Sequence, residues 1–540
     1  MPMLVRNLRL GLDEPEERLV ARAAKRLRVP IDAIRAYAPV RRSLDARDHN
    51  DVHFVYHLEL ALYDSPAAEQ AHLLRVHPRN VEIIHSLPAP RRRSGDRPLG
   101  ERPMIFGFGP AGMFAALRLA EAGYQPIVFE RGRDVRRRHR DVMQRFYRQR
   151  DLDEESNLMY GEGGAGAYSD GKLYTRVSEP LVRTVLETLY HHGADPDILV
   201  DARPHIGSDK LPTICARIRG HIEQLGGEIR FDHRLDDVEV ADGVLDAVVV
   251  NAGRIPVGPV ILAIGHSARD TVRMLVGRGV RVVAKPFQLG VRIEHPQELV
   301  DRWQYHELCG HERLPPAEYQ LVAKKASPTG GDLFSFCMCP GGMILPSVES
   351  KGLIATNGAS RSRRSGAWAN SGLVITIDPE MIDNDPLAGL AYQERWERLA
   401  FEATDGSYRV PVQRAVDFLA GRQSDGALDT SYPLGGQWSR LRSVIPEHVT
   451  MALERGLAIL DRRLPGFAGG DALLTAPETR ASAPVRILRD RDTRESVNVT
   501  GLYPVGEGAG YAGGIASAAV DGLKTADRII ETYSRGMGHR

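Results

Sequence analysis

Between residues 104 and 131 the hydrophobic pattern changes three times in quick succession. A short apolar run ends in glycines. An apolar stripe at helical spacing follows, then a turn at Gly123-Tyr124, then a second apolar run that ends at Glu130. This reads as strand, helix, strand, the repeating unit of a parallel sheet. In residues 1–86 the alternation over 3–10 and 52–63 predicts two strands. Leu19, Val20, Ala23 and Leu27 predict a helix over 14–27. Pro30 and Asp32 suit the first turn of a second helix over 30–37, and 41–47 reads as a charged, solvated loop. Together these give a β-α-β arrangement on a small sheet.

Further on, 183–192 and 213–225 read as helices, and 228–232, 237–240 and 245–250 as one section of sheet. The unbroken apolar run 259–265 predicts a buried strand, with a helix from about residue 268. From 285 to about 475 the pattern is mixed. Strands are expected at 333–337, 352–356 and 373–377, and helices at 386–404 and 447–463. A strand near 498–505, a glycine turn at 506–515 and a helix at 516–533 then repeat the arrangement of 104–131.

That recurrence, roughly 400 residues apart, sets the domain organisation. The expected fold class is α/β. A discontinuous Rossmann-like domain is built from 103–284 and 476–540, with an inserted α+β substrate or cap domain at 285–475. A small α+β domain occupies 1–86, and 87–102, rich in Pro, Gly and Arg, is a linker. A chain of 540 residues is long enough for several such cores.

Composition narrows the partners. Formal net charge is +1, from 71 basic and 70 acidic side chains, so no global field draws the chain to nucleic acid or membrane. Arg91-Arg92-Arg93 is read as solvated linker. The basic stretch 131–150 is read as a surface helix with Val135, Val142, Met143 and Phe146 on its inner face. Four cysteines form no disulfide framework, which favours a reducing compartment. No run of about 18 apolar residues predicts a membrane span, and the first residues lack a signal-peptide core. The expected location is cytoplasmic. Oligomeric state is left open.

The chemistry begins at Gly107-Phe108-Gly109-Pro110-Ala111-Gly112, a G-x-G-x-x-G between strand and helix. Gly107 permits the tight turn, Gly109 lets backbone approach a pyrophosphate, and Gly112 lets helix pack on strand. Glu130, with Arg131 beside it, is placed to accept the ribose hydroxyls. One dinucleotide motif does not distinguish cofactors, but the second glycine turn does. FAD is long, and its ring needs a wall of its own. A helix N-terminus after Gly506, Glu507, Gly514 and Ile515 would stabilise negative charge on that ring. The glycine-rich 161–171 segment, with Gly163, Gly164, Ser169, Asp170, Gly171 and then Lys172, would line it. Val238 and Gly265 complete the expected cofactor-side set. FAD is therefore the expected cofactor, with NAD(P)H at most a transient reductant. Gly277-Arg278-Gly279 lacks the third glycine and the acid of a second nucleotide unit.

The segments GFGPAG (107–112) with Glu130, VILAIG (260–265) and LYPVGEGAG (502–510) resemble the glutathione-reductase-like superfamily of FAD proteins. That superfamily usually has aspartate where Glu507 stands. A closer likeness is carried by GEGGAGAYSDGKLYT (161–175), FSFCMCPGG (334–342), ETRASAPVRILRD (478–490) and YPVGEGAGYAGGIASAAVDGLK (503–524). These resemble an uncharacterised bacterial family known as FAD-dependent dehydrogenases or FAD-dependent protein C, over essentially the whole chain. The resemblance implies FAD binding and an oxidoreductase, with no assigned substrate.

Candidate reacting groups are Lys172, Cys337, Cys339 and Arg480. On a strand, Cys337 and Cys339 would share a face with Met338 opposite. They stand as core residues, as pocket lining or as a redox pair. Lys172 with Asp170 is either a charge-stabilising pair near the ring or a structural ion pair. Glu478 and Arg480 precede the last motif and would face the flavin pocket. His205 and His266 read as structural. No metal-ligand spacing, P-loop or G-x-S-x-G is present. The expectation is an FAD-dependent oxidoreductase passing a hydride between an unidentified small substrate, or NAD(P)H, and flavin N5. The rivals are an RNA-acting flavoprotein, through the arginine run, and a non-catalytic flavin-binding redox-sensing module.

Overall fold

The structure is a computed structural model and describes residues 3–63, 65–84, 93–175 and 179–535. At its centre is a five-stranded parallel sheet. Its order is Leu502–Pro504, Val260–Leu262, Met104–Phe106, Ile127–Phe129 and Glu228–Arg230. The first four strands are buried on both faces, as their unbroken apolar sequences require. One face carries the helices Pro110–Glu121, Pro180–His191, Leu211–Gln224 and Ile515–Thr532. The other is covered by a three-stranded antiparallel sheet, Leu235–Ala241, Val244–Val250 and Gly253–Pro256. The sheet section expected over 228–250 therefore divides. The Ile229 strand extends the parallel sheet, while the two-residue turn at Asp242-Gly243 folds the rest into a hairpin.

A mixed eight-stranded sheet follows in sequence. Its core order is Val322–Ala323, Leu333–Pro346, Trp368–Ile377, Phe287–Pro296, Leu473–Glu478, Val410–Arg414 and Gly436–Trp438, with Thr356–Ser360 paired to Leu333–Pro346. The helices Ala388–Glu402 and Glu447–Arg463 pack against it. The strand expected at 352–356 starts only at Thr356, because Gly352, at φ +77°, belongs to a turn. The expected boundary at 475 falls inside the strand Leu473–Glu478, which stays paired with this sheet as far as Glu478 opposite Gly290.

The N-terminal region is a four-stranded antiparallel sheet in the order Ala36–Asp45, His53–Ala61, Met3–Gly11 and Val81–Ile83, with helices Arg18–Leu27 and Pro66–Val76. Two expectations fail here. The helix at 30–37 is a single tight turn, Ile31–Ala33. The charged loop at 41–47 is largely the edge strand Ala36–Asp45. Hairpin pairing with His53–Ala61 overrides local propensity, and charges suit an edge strand. Arg42 from this strand reaches Asp201 (2.7 Å) and Asp197 (2.9 Å), tying the sheet to the segment that follows the helix Pro180–His191. Leu44 and Ala46 pack with Val300, Tyr305, Ala369 and Met338 of the large-sheet region.

The basic stretch is not a plain surface helix. It runs as Val135–Arg140, a π-helical turn Asp141–Phe146, and Tyr147–Gln149. Arg138 is fully buried and donates to the carbonyl oxygens of Asn157, Leu158, Glu162 and Gly164 at 2.7–3.0 Å. Arg133, Arg137 and Arg145 pair with Asp141, Asp232 and Asp153 respectively. Residues 87–92 of the expected linker lie outside the described residues. Its described part is anchored on the end of the C-terminal helix, where the Gly95 N–H donates to Ile530 O at 2.9 Å. Among the described residues no helix is long and apolar enough to cross a membrane.

Candidate functional site

The first glycine motif is tight on one side and open on the other. Gly107 holds φ +99°, and a Cβ there would lie 2.3 Å from Ala263 O. At Gly112 it would lie 2.0 Å from Gly107 O, so the helix Pro110–Glu121 sits directly on the turn. Gly109 caps that helix, and a Cβ there meets only Gly164 Cα at 3.8 Å. The second turn mirrors this. At Gly508 a Cβ would lie 2.2 Å from Gly265 O, whereas at Gly265, Gly513 and Gly514 it would meet nothing within 4 Å. Gly514, at φ +103°, caps the helix Ile515–Thr532. The two helix starts lie together: a Cβ on Gly166 would touch Pro110 at 3.3 Å and Ile515 at 3.5 Å. Two sets of free helix N–H groups thus border one glycine-lined cradle, an arrangement that suits a pyrophosphate.

Glu130 is buried, and its carboxylate accepts from the backbone N–H groups of Phe108 (2.8 Å), Gly132 (2.9 Å) and Gly161 (2.9 Å). It holds the glycine turn, its own loop and the start of the 161–171 segment in register. Arg131 bonds Glu155 at 2.7 Å and Asp270 at 3.0 Å, and lies over the Tyr160 ring at 4.1 Å. Gly163 N–H donates to Phe108 O at 2.9 Å, so the 161–171 segment docks on the first turn. Ser169 Oγ accepts from Gly171 N–H and shapes that segment. Val238 lies in the core behind the sheet, its N–H bonded to the Asp237 carboxylate.

Lys172 brings this segment to the two cysteines. Its Nζ lies 2.7 Å from Asp170 Oδ2, 3.6 Å from Cys339 Sγ and 3.9 Å from Cys337 Sγ. Arg364 stands 3.5 Å from the same Asp170 oxygen. Both sulfurs do face one side, but through an irregular strand. Pairing slips between Phe336 and Cys339, and Cys337 takes φ +47°, a strained value for a residue with a Cβ. Fully buried Arg292 fixes that backbone, donating to Cys337 O at 2.8 Å, to Asn370 at 2.9 Å and to Glu478 at 3.0 Å. A hydrogen bond from Cys339 lowers the Cys337 thiol below the usual range. The charges of Lys172 and Arg292 act the same way against burial. Burial pushes Glu478 up to about 7 despite Arg292. Burial also pushes Glu507 up to about 7. Lys285 and the Gly514 N–H oppose that rise and charge on Cys337 adds to it.

Arg480 lies in a different cluster. It donates to Glu397 (2.8 Å), Glu349 (2.8 Å) and Ser267 Oγ (3.1 Å). Arg269 donates to both Glu397 oxygens at 2.8 Å, and Thr479 Oγ1 donates to Glu397 at 2.6 Å. Burial would raise the Glu397 carboxyl, but the two guanidiniums hold it well below the ordinary range. His266 bonds Ser267 Oγ at 2.9 Å, and burial pushes its imidazole down to about 4. His205 is held on Ser362 O at 3.1 Å. Sequence reasoning passed over Arg292, Arg364, Arg269, Glu349 and Glu397. Arg292 alone left a trace, as a charge within the apolar strand Phe287–Pro296.

The glycine cradle, closed at Gly107, Gly112 and Gly508 and open at Gly109, Gly265, Gly513 and Gly514, fits a dinucleotide such as FAD. Residues 286–481 match the family described as FAD-dependent protein, C-terminal domain-like, and residues 2–61 match a domain of unknown function. FAD is the cofactor that this family description names. An uncharacterized protein of Clostridium beijerinckii is 40% identical over 536 residues, covering 99% of each chain, and the present chain belongs to the same family. Among solved structures, glycine oxidase from Geobacillus kaustophilus matches at 11% identity and TM-score 0.36, over 81% of this chain and 98% of that one. A geranylgeranyl bacteriochlorophyll reductase-like protein from Thermoplasma acidophilum matches at 12% identity and TM-score 0.33, over 80% and 79%. Both likenesses are remote.

Proposed function

We propose that the chain is an FAD-dependent oxidoreductase whose reacting centre lies between the second glycine turn and the Lys172–Cys337 cluster. The observation that carries this reading is the shared cradle, where the starts of Pro110–Glu121 and Ile515–Thr532 meet beside Gly109, Gly265 and Gly514. When bound, FAD supplies a centre that takes up or returns an electron pair with a proton, as a hydride. In this reading Gly107, Gly109, Pro110, Ala111 and Gly112 hold the pyrophosphate. Glu130 and Arg131 organise the adenosine side, and Val238 packs behind it. Gly163, Gly164, Ser169, Asp170 and Gly171 form the wall over the ring. Gly506, Glu507, Gly514 and Ile515 offer N–H groups and a carboxyl to the ribityl and ring end. Lys172 fixes negative charge on the substrate side.

The domain scheme proposed with it keeps 103–284 and the C-terminal segment as the cofactor domain. The inserted domain runs through the strand Leu473–Glu478, which supplies Glu478 to the site. Purified protein should be yellow, and NADH or NADPH should bleach it anaerobically if either serves as reductant. A folded, colourless preparation that takes up no FAD overturns the reading. Within 131–150, Arg131, Arg133, Arg137 and Arg145 are engaged by acids whereas Arg136, Arg140 and Arg148 are exposed, so salt-dependent RNA binding is the measurement that tests the RNA alternative.

A further inference from the structure

We propose that Cys337 and Cys339 form a reversible dithiol that exchanges with a disulfide substrate, and that Lys172 holds the attacking thiolate. This deepens the proposed function, since it rests on the same site and names a substrate class.

The four cysteines, all of them free thiols, differ in their surroundings. Cys215 is a core residue packed among apolar side chains, and burial pushes its thiol up to about 12. Cys337 and Cys339 instead share an ammonium group, at 3.9 and 3.6 Å. Cys339 Sγ also donates to Cys337 O at 3.3 Å, so the second thiol is folded back on the first. The strand slips between Phe336 and Cys339 and Cys337 takes a left-handed backbone, and both sulfurs come within 4 Å of the one Lys172 Nζ. Arg292 locks that irregular backbone through Cys337 O. Cys337 is half-buried and Cys339 fully buried, which fixes the order of events.

The Cys337 thiolate attacks one sulfur of the substrate disulfide. A Cys337–substrate S–S bond forms, the substrate S–S bond breaks, and the first substrate thiolate leaves and is protonated. Cys339 then loses its proton to solvent and attacks Cys337 Sγ. The intrachain disulfide closes, and the second substrate half leaves as a thiol. Two protein thiols are oxidised and one disulfide is reduced to two thiols, so atoms and electrons balance without any other reagent.

The test uses full-length, flavin-loaded protein in a Cys309→Ser background, with glutathione disulfide as the probe. Free thiols are trapped by alkylation, and the peptide holding both cysteines is weighed. The expected result is loss of two hydrogens from that peptide and release of two glutathione thiols per chain. Cys339→Ser should stop at a mixed disulfide on Cys337 with one thiol released, and Cys337→Ser should not react. Lys172→Met should slow mixed-disulfide formation at neutral pH roughly tenfold and move its pH profile upward, while Lys172→Arg restores most of the rate. Full alkylation of both cysteines in wild type after probe treatment overturns the proposal, as does first attack by Cys339. Flavin absorbance separates the two claims. Bound flavin without exchange sinks only the dithiol, and exchange in a protein that never binds flavin sinks only the FAD reading.

Discussion

Two buried charge clusters lie on either side of a single strand end. Glu478 belongs to one and Arg480, two residues later, to the other. Around Arg480, two guanidiniums meet Glu349 and Glu397 in a closed set of short bonds, several at 2.8 Å. Around Lys172, three cations, Lys172, Arg292 and Arg364, face two carboxylates, Asp170 and Glu478, and the contacts of Lys172 with the sulfurs and of Arg364 with Asp170 stretch to 3.5–3.9 Å. The closed cluster joins Arg269, at the edge of the nucleotide fold, to the helix Ala388–Glu402 of the large-sheet region, and its charges cancel. The open cluster keeps positive charge in reserve beside a thiol pair. The first is built to stay as it is, whereas the second is built to receive negative charge.

The largest effect is expected where closure is complete. Glu397→Ala leaves two buried guanidiniums short of a partner and should cost about 3–5 kcal/mol in urea unfolding. Lys172→Met should cost far less, because Asp170 retains Arg364. Equal losses would break the comparison.

The glycine cradle gives the next contrast. Gly112→Val drives a side chain into Gly107 O and should cost about 1–3 kcal/mol. Gly109→Val points into open space, so stability should move by only about 0.5 kcal/mol while flavin absorbance is lost. A Gly109→Val protein with wild-type flavin content would refute the cradle.

Titration sharpens the contrast further, since the two clusters respond to pH with opposite signs. Glu478 has a folded value raised from 4.5 to about 7, so its contribution is complete below 4.5 and is lost as pH rises through about 7. Glu397 has a depressed value, so its contribution is present above 4.5 and is lost as pH falls toward the folded value. Unfolding free energy measured against pH should fall less steeply between 4.5 and about 7 in Glu478→Gln, with the Glu507 part of that fall remaining, and should show a shallower acid slope in Glu397→Gln. The smallest effect is expected at the arginine run. Arg137→Ala with Arg145→Ala should cost about 0–1 kcal/mol, and filter binding should find no salt-dependent RNA affinity to lose.

The glycine turns were legible in the sequence because their spacing is a local pattern, although the groups that forbid a Cβ at Gly107 and Gly508 are the distant Ala263 O and Gly265 O. Gly107, Gly112 and the 506–514 turn announce themselves by spacing alone. The split of the nucleotide fold was legible too, since 104–131 and 498–533 repeat one pattern. The N-terminal edge strand was not. Val40 and Arg41 become a strand only because His53–Ala61 lies opposite. Arg480 and Cys337 show the same limit at the site. Both are conspicuous in sequence, but only long-range pairing decides that Arg480 is saturated by Glu397 and that Cys337 faces Lys172. The positive φ of Cys337 has no local signature, because Arg292, 45 residues away, imposes it through the chain's pairing.

The position of Leu502–Pro504 in the parallel sheet bears on how the protein is made. This strand and the helix Ile515–Thr532 supply one whole wall of the cradle, although the opposing wall is already present by residue 112. A ribosome-bound chain therefore carries its cysteine pair and its lysine well before it can hold a cofactor. Until residues 502–532 have emerged, one wall of the cradle is missing.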